Sequence, residues 1–158
     1  MDANLQKLLV FVIEKQRFAI QLSVIERVLR AVAITKLSDA PGFIEGVIDY
    51  YGEVIAVINL RKRFGYNLME LRLSDRFIIV KTAKRKLALM VDEVEDVLSP
   101  DLQDLYDSRD INSGLKFIQI LREDRGIVFI WDVENLLELA EEMELDKYLD
   151  SKIISAAG

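Results

Sequence analysis

Residues 18–29 read Phe18-Ala19-Ile20-Gln21-Leu22-Ser23-Val24-Ile25-Glu26-Arg27-Val28-Leu29. Residues 87–98 read Leu87-Ala88-Leu89-Met90-Val91-Asp92-Glu93-Val94-Glu95-Asp96-Val97-Leu98. At an offset of 69, Ala19 falls on Ala88, Glu26 on Glu95, and Val28-Leu29 on Val97-Leu98. Self-similarity of this length indicates an internal duplication.

The flanks repeat too. Residues 8–13 are a short apolar run, Glu14-Lys15-Gln16 a polar turn, and residues 17–22 alternate polar and apolar like a half-buried strand. Residues 75–80 form a second apolar strand, 81–86 a polar turn, and 87–91 another strand. Ser23 is followed three residues later by Glu26, and Asp92 by Glu95. That capping-box spacing predicts a short helix at each place.

Phe43-Ile44 precedes Gly52 by nine residues, and Phe117-Ile118 precedes Gly126 by nine. After Gly52 come a strand over 54–58, Asn59, and a helical turn over 60–64 ended by Gly65. After Gly126 come a strand over 127–131 and Asp132 as cap of a helix. The offset has grown to 74, which places about five extra residues in a solvated loop over 99–116 rich in Asp, with Asn112 and Gly114. The chain thus reads as one domain over 1–158 holding two related units, 8–66 and 75–137. Each consists of short strands with tight turns, which favours a pair of small barrels. A final helix over 133–149 carries apolar residues at Leu136, Leu137, Ala140, Met143, Leu145, Tyr148 and Leu149.

Composition removes most chemistries. The 158 residues are 51% hydrophobic, so the chain has material for a core, and they include no Cys and no His. That excludes disulfides, thiolate nucleophiles, imidazole metal sites and His-based catalysis or phosphotransfer. Asp92, Glu93, Glu95 and Asp96 form the densest acid cluster, but Asp92 reads as a cap and the others as an exposed strand edge. No glycine-rich phosphate loop or serine-nucleophile motif is present. We therefore expect no enzyme activity, no cofactor and no metal.

The net charge is −6, distributed unevenly. Residues 61–88 carry nine basic and two acidic groups, and residues 89–124 ten acidic and three basic. Such blocks are either solvated faces or steering surfaces for complementary proteins. The basic segment includes Phe64, Tyr66 and Phe77, a composition that small barrels use on single strands. Phe64 and Phe77 sit in apolar patterns and the net charge is negative, so no nucleic-acid binding is expected. The longest apolar run is six residues and the start lacks a basic leader, which suggests a soluble cytoplasmic protein without membrane insertion.

Residues 43–65, from Phe43-Ile44-Glu45-Gly46-Val47-Ile48-Asp49-Tyr50-Tyr51-Gly52 to Asn59-Leu60-Arg61-Lys62-Arg63-Phe64-Gly65, resemble the signature of the CheW family. The resemblance extends to the opening strand, Phe18-Ala19-Ile20, Ala40-Pro41 and Val91-Asp92-Glu93-Val94. It implies a mainly β fold of two SH3-like five-stranded β-barrel subdomains on one hydrophobic core, with short helices and a C-terminal helix. It also implies an adaptor that couples the cytoplasmic tips of chemoreceptors to a CheA-type histidine kinase, bound through the kinase's own CheW-like regulatory domain. The protein-binding positions it implies include Gly46, Asp49, Tyr50, Tyr51 and Gly52 in the signature turn. Ile25, Arg27, Phe77, Val94 and Val97 complete the expected face, with core packing as the alternative for its apolar members.

Four positions depart from the family pattern. Tyr51 stands where the family has an arginine of Asn-Leu-Arg-Gly, Arg27 where an acid is common, Ala56 for a proline and Asn59 for an aspartate. The exchanges at 27 and 51 should alter which receptor or kinase is recognised. Tyr50 and Tyr51 either form an aromatic anchor pair or leave Tyr50 packed inward.

Overall fold

Apolar runs bounded by two-residue turns give the chain its first hairpin. β1 (Leu8–Ile13) and β2 (Gln16–Gln21) pair antiparallel across Glu14 and Lys15, whose φ values of 50° and 68° give the left-handed turn that matches strand twist. The computed structural model describes residues 7–36, 42–64, 74–107 and 119–135, together with 145, 146 and 149. Over these it adds β3 (Ile25–Arg30), β4 (Ile44–Tyr50), β5 (Glu53–Asn59) and the single helical turn α1 (Leu60–Phe64). The second unit supplies β6 (Arg76–Lys81), β7 (Lys86–Val91), β8 (Glu93–Leu98), β9 (Leu105–Asp107), β10 (Gln119–Glu123) and β11 (Gly126–Ile130).

The strands form two sheets, the two SH3-like subdomains. One has the order β8-β1-β2-β11-β10-β9, the other β3-β6-β7-β5-β4. Each sheet therefore takes its first hairpin from one sequence unit and its remaining strands from the other. The register shows that the duplication is structural. Leu8, Leu9 and Phe11 face Leu98, Val97 and Val94, while Phe77, Ile78 and Val80 face Leu29, Val28 and Ile25, the same pairs shifted by 69. In the second halves Phe129 faces Phe18 and Ala56 faces Leu87, in parallel. This fixes the later offset at 73, not the 74 read by aligning Gly52 with Gly126.

Three expectations need correction. Neither capping box starts a helix: residues Leu22–Val24 make one 3₁₀ turn with no side-chain cap, and Glu93 already belongs to β8. Asp92 is not a cap, because its carboxylate accepts from Glu14 N–H at 2.8 Å and binds Arg61. The acidic loop after Ser99 holds a 3₁₀ turn, Leu102–Asp104, and then β9, so one sheet has six strands. Asn59 does cap α1, its Oδ1 accepting from Arg61 N–H at 3.0 Å. Asp132 likewise accepts from Glu134 N–H at 3.0 Å, at a 3₁₀ turn, Val133–Asn135. Of the expected terminal helix, Leu145, Asp146 and Leu149 are helical. Ala40-Pro41, Gly65, Tyr66, Asn112, Gly114, Phe117-Ile118, Leu136, Leu137, Ala140, Met143 and Tyr148 lie outside the described residues.

Burial follows this exchange. One cluster joins the sheets, with Phe11, Phe18 and Ile20 meeting Ile58, Ile78, Leu87 and Leu89, capped by Trp131 and Leu145. The Phe18 ring lies 5.9 Å from Phe11 and Phe129 and 6.3 Å from Trp131. Burying such a side chain contributes about 2–3 kcal/mol. A second cluster fills the five-stranded sheet (Ile48, Tyr50, Val57, Phe77, Ile79), and a third the six-stranded sheet (Leu8, Val10, Leu121, Val128, Ile130).

Candidate functional site

The first candidate surface is built by a β-bulge. Between Ile25 and Arg27 the register of β3 against β6 slips by one residue, leaving Glu26 as the extra one. A bulge re-aims side chains, and here consecutive residues both reach the β4–β5 turn. Tyr50 Oη donates to Glu26 Oε2 at 2.6 Å, and Arg27 Nη1 donates to Tyr51 Oη at 2.6 Å. Since β3 and β4 are the two ends of the five-stranded sheet, these contacts bring its ends together.

The turn itself is demanding. Tyr51 and Gly52 have φ of 50° and 89°, the left-handed pair that a two-residue hairpin needs, where Asn-Gly is usual. Asp49 Oδ1 accepts from Gly52 N–H at 2.8 Å and holds the turn. Tyr51 ends up 74% exposed, edge-on to Tyr50 with centroids 5.0 Å apart, and carries the Arg27 guanidinium 4.9 Å above its ring. Tyr50 is buried, so of the two alternatives it packs inward, with only its hydroxyl committed to Glu26.

Lys86 completes the corner. Its ammonium sits 3.3 Å from Glu26, 3.1 Å from Glu53 and 5.7 Å from the Tyr50 ring. The hydrogen bond from Tyr50, with help from Lys86, holds the Glu26 carboxyl below its ordinary range. Donating to Glu26 pushes the Tyr50 hydroxyl up, and hydrogen bonds to Glu53 and Glu26 push Lys86 up.

The expected face divides in four. Arg27, Asp49, Tyr51 and Gly52 gather at this exposed corner. Ile25 and Val94, equivalent at the offset of 69, are half-buried against the cluster that joins the sheets. Val97 is 46% exposed on the edge strand of the other sheet. Phe77 is fully buried and is core. Gly46 is also buried, beside the Thr35–Val47 bridge, where an added Cβ would lie 2.4 Å from the Thr35 carbonyl oxygen. Sequence reasoning missed Glu26, Glu53 and Lys86, and the exposed Val28 and Val54. The 69-residue offset could have exposed Glu26 and Lys86, because it maps them onto Glu95 and Arg17, which also pair.

A second polar centre ties the subdomains. The buried Arg61 binds Asp92 through both carboxylate oxygens, at 3.0 Å and 2.5 Å, and also binds Glu14. Burial works against the Arg61 charge, but these carboxylates outweigh it and raise its pKa. Asp92 lies where the chain passes from β7 in one sheet to β8 in the other. Cations of the basic block thus meet carboxylates within the chain, including Arg85 with Asp146 and Lys62 with Glu45 at 3.1 Å. Beside the corner an open groove of about 400 Å³ is lined by Glu53, Val54, Ile55, Ala56, Arg85, Lys86 and Leu149.

This architecture has close parallels. A family model described as a CheW-like domain matches residues 7–141. The chain is 28% identical over 134 residues to the chemotaxis protein CheW of Thermotoga maritima, covering 84% of this chain and 87% of that one. It is 21% identical over 146 residues to that of Treponema pallidum, covering 88% and 86%. The crystal structure of the scaffolding protein TtCheW from Thermoanaerobacter tengcongensis superposes with a TM-score of 0.77 at 29% identity, over 85% of this chain and 93% of that one. With two exchanged β-subdomains, a signature turn at 49–52 and a family match across most of its length, the chain belongs to the CheW-like domain family.

Proposed function

We propose that this protein is a non-catalytic adaptor that couples chemoreceptor cytoplasmic tips to a CheA-type histidine kinase through the kinase's CheW-like regulatory domain. The observation that carries the reading is the corner at Arg27, Asp49, Tyr51 and Gly52, an exposed, preorganised surface at the family's signature turn. Ile25 and Val94, beside the joint between the subdomains, offer a second, more apolar contact for the receptor. Such a protein acts by contact surface alone, which suits side chains that pair with one another as Arg61 does with Asp92 and Glu14. Among the described residues no helix is long and apolar enough to cross a membrane.

Co-purification tests the proposal. The full chain is expected to retain the CheA-type kinase and a receptor cytoplasmic fragment from its own organism; loss of both associations sinks it. A second reading is favoured by the Arg27–Tyr51 contact, which replaces the family's residues at both positions. On that reading the fold serves a different protein partner. Restoring Arg27→Glu and Tyr51→Arg together separates the two. Under the adaptor reading the double variant gains affinity for standard receptors and kinases, and under the second it gains none.

A further inference from the structure

We infer that residues 150–158, which follow Leu149, occupy the groove beside the β4–β5 turn, with Ile153 laid on Val54. Such a contact is internal to the chain and holds whichever partner the protein serves. β5 shows an unfinished cover. Val54, Ala56 and Ile58 alternate along the strand and so share one face. Ile58 and Ala56 are 0% and 1% exposed, whereas Val54 is 50% exposed. The inner end of this face belongs to the cluster that joins the sheets, which holds Ala56, Ile58 and Leu145, with Leu149 packed against it. Leu145, Asp146 and Leu149 are helical, and Asp146 binds Arg85 on the groove wall. Leu149 itself lines the groove with Val54 and Ala56. The chain thus leaves the core at Leu145 and reaches the groove at Leu149.

Spacing carries the next step. Leu145, Leu149 and Ile153 recur every four residues, the interval that keeps side chains on one face of a helix. Each interval advances about 6 Å along a helix, close to the roughly 6.7 Å between alternate residues of a strand. Steps from Leu145 to Leu149 to Ile153 therefore match steps from Ile58 to Ala56 to Val54. Asp150 follows Asp146 by the same interval, and Lys86 stands beside Arg85 on the groove as a cation of the right sign.

Room for the segment comes from position 56. At the offset of 73 the other subdomain has Phe129 there, its ring packed 5.9 Å from Phe18, while Ala56 leaves the groove floor low. With Val54 covered, the apolar surface beside Tyr51 is closed, and the Arg27–Tyr51 contact is what this corner shows to a partner.

The test uses the chain's lack of cysteine. Val54→Cys and Ile127→Cys place single thiols at equivalent positions of the two subdomains, where the parent side chains are 50% and 51% exposed. On the full chain, reaction with a maleimide is expected to be about fivefold slower at 54 than at 127. Adding Ile153→Asp to each variant should raise the rate at 54 to that at 127 and leave the rate at 127 unchanged. Adding Ile153→Val, which keeps an apolar side chain there, should retain most of the gap. Equal rates at the two thiols without a change at 153 overturn the inference, as does a gap that survives Ile153→Asp. A short bismaleimide should join Val54→Cys to Ile153→Cys within one chain and leave the pair Ile127→Cys and Ile153→Cys unjoined. Equal joining of both pairs, or of neither, overturns it as well.

Discussion

The same corner is built twice in this molecule, from different chemistry. In the six-stranded subdomain, the bulged β8 presents Glu95 and Asp96 to the β10–β11 turn. Arg17 bridges Glu95 at 2.9 Å and also binds Glu123, while Arg125 lies 3.4 Å from Asp96. In the five-stranded subdomain the equivalents are Glu26, Arg27, Lys86 and Tyr50, with Tyr51 on the turn. Acid and base alone make the first corner, whereas the second adds two tyrosine rings to its Glu26–Lys86–Glu53 group. Identical backbone register therefore does not dictate the chemistry of the surface. In the ionic corner each cation pairs with carboxylates, whereas in the aromatic corner Arg27 pairs with a tyrosine.

The largest difference to exploit lies under the corners. Gly46 pairs with Val57 in the five-stranded sheet as Gln119 pairs with Ile130 in the other. Outside β10 runs a true strand, β9, which leaves room for the Gln119 side chain. Outside β4 the backbone of Thr35 bonds Val47 at 2.9 and 3.0 Å, and the Thr35 carbonyl oxygen and Ile34 Cγ2 lie where a Cβ on residue 46 would go. Gly46→Ala is therefore expected to cost about 3 kcal/mol of unfolding free energy. Gln119→Ala should stay within about 0.5 kcal/mol. Urea denaturation of both variants checks this; equal costs would mean that Thr35 yields easily.

The corner cations should differ next. Arg17→Met leaves Glu95 and Glu123, both largely buried, without their nearest partner. Arg125 remains 3.8 Å from Glu95 and 3.9 Å from Glu123 and compensates in part. The expected loss is about 2 kcal/mol, below the 3–5 typical of a fully buried broken pair. Lys86→Met removes a more exposed cation beside Glu26 and Glu53, and should lower the denaturation midpoint less than Arg17→Met does. Denaturation midpoints measured side by side give the order; a reversed order would show the aromatic corner to be the more strongly tied of the two.

These expectations depend on contacts that local sequence patterns do not contain. The strands, the duplication and the Asn59 cap were legible because each is written in a short window: an apolar run, a repeated dodecamer, a polar residue before a helical turn. The exchange of hairpins between subdomains was not, because strand pairing is decided by partners far along the chain. The two capping boxes misled for the same reason. Glu26 and Glu95 sit three residues after an Ser or Asp, as a cap partner would, yet both are bulge residues serving Lys86 and Arg17. Arg27 and Tyr51 read as two separate departures from a family pattern. Only the fold shows that they are one contact, made by residues 24 apart.

The smallest expected effect distinguishes the corners by pH. In the aromatic corner the Tyr50 hydroxyl is pushed up by donating to Glu26, and Lys86 is pushed up by Glu53 and Glu26. Groups whose folded pKa is raised contribute stability that is complete below the unfolded value, about 10 for both, and lost as pH rises through the folded value. Glu26 is pulled down by the same hydrogen bond, so its contribution is complete above about pH 5 and lost as pH falls through the folded value. The corresponding cation in the ionic corner is Arg17, whose pKa is raised by Glu123 and Glu95 against the cost of burial, and which keeps its proton throughout. Destabilisation above about pH 10 should therefore come in part from the Tyr50–Glu26–Lys86 group and not from the Arg17 group. Tyr50→Phe removes the titrating hydroxyl and leaves the ring in place. Its melting temperature should lie below that of the parent near neutrality, with the gap closing as the pH passes the folded Tyr50 value. A gap that stays constant from neutral to strongly alkaline pH would show that the hydrogen bond to Glu26 contributes nothing to the stability of the fold.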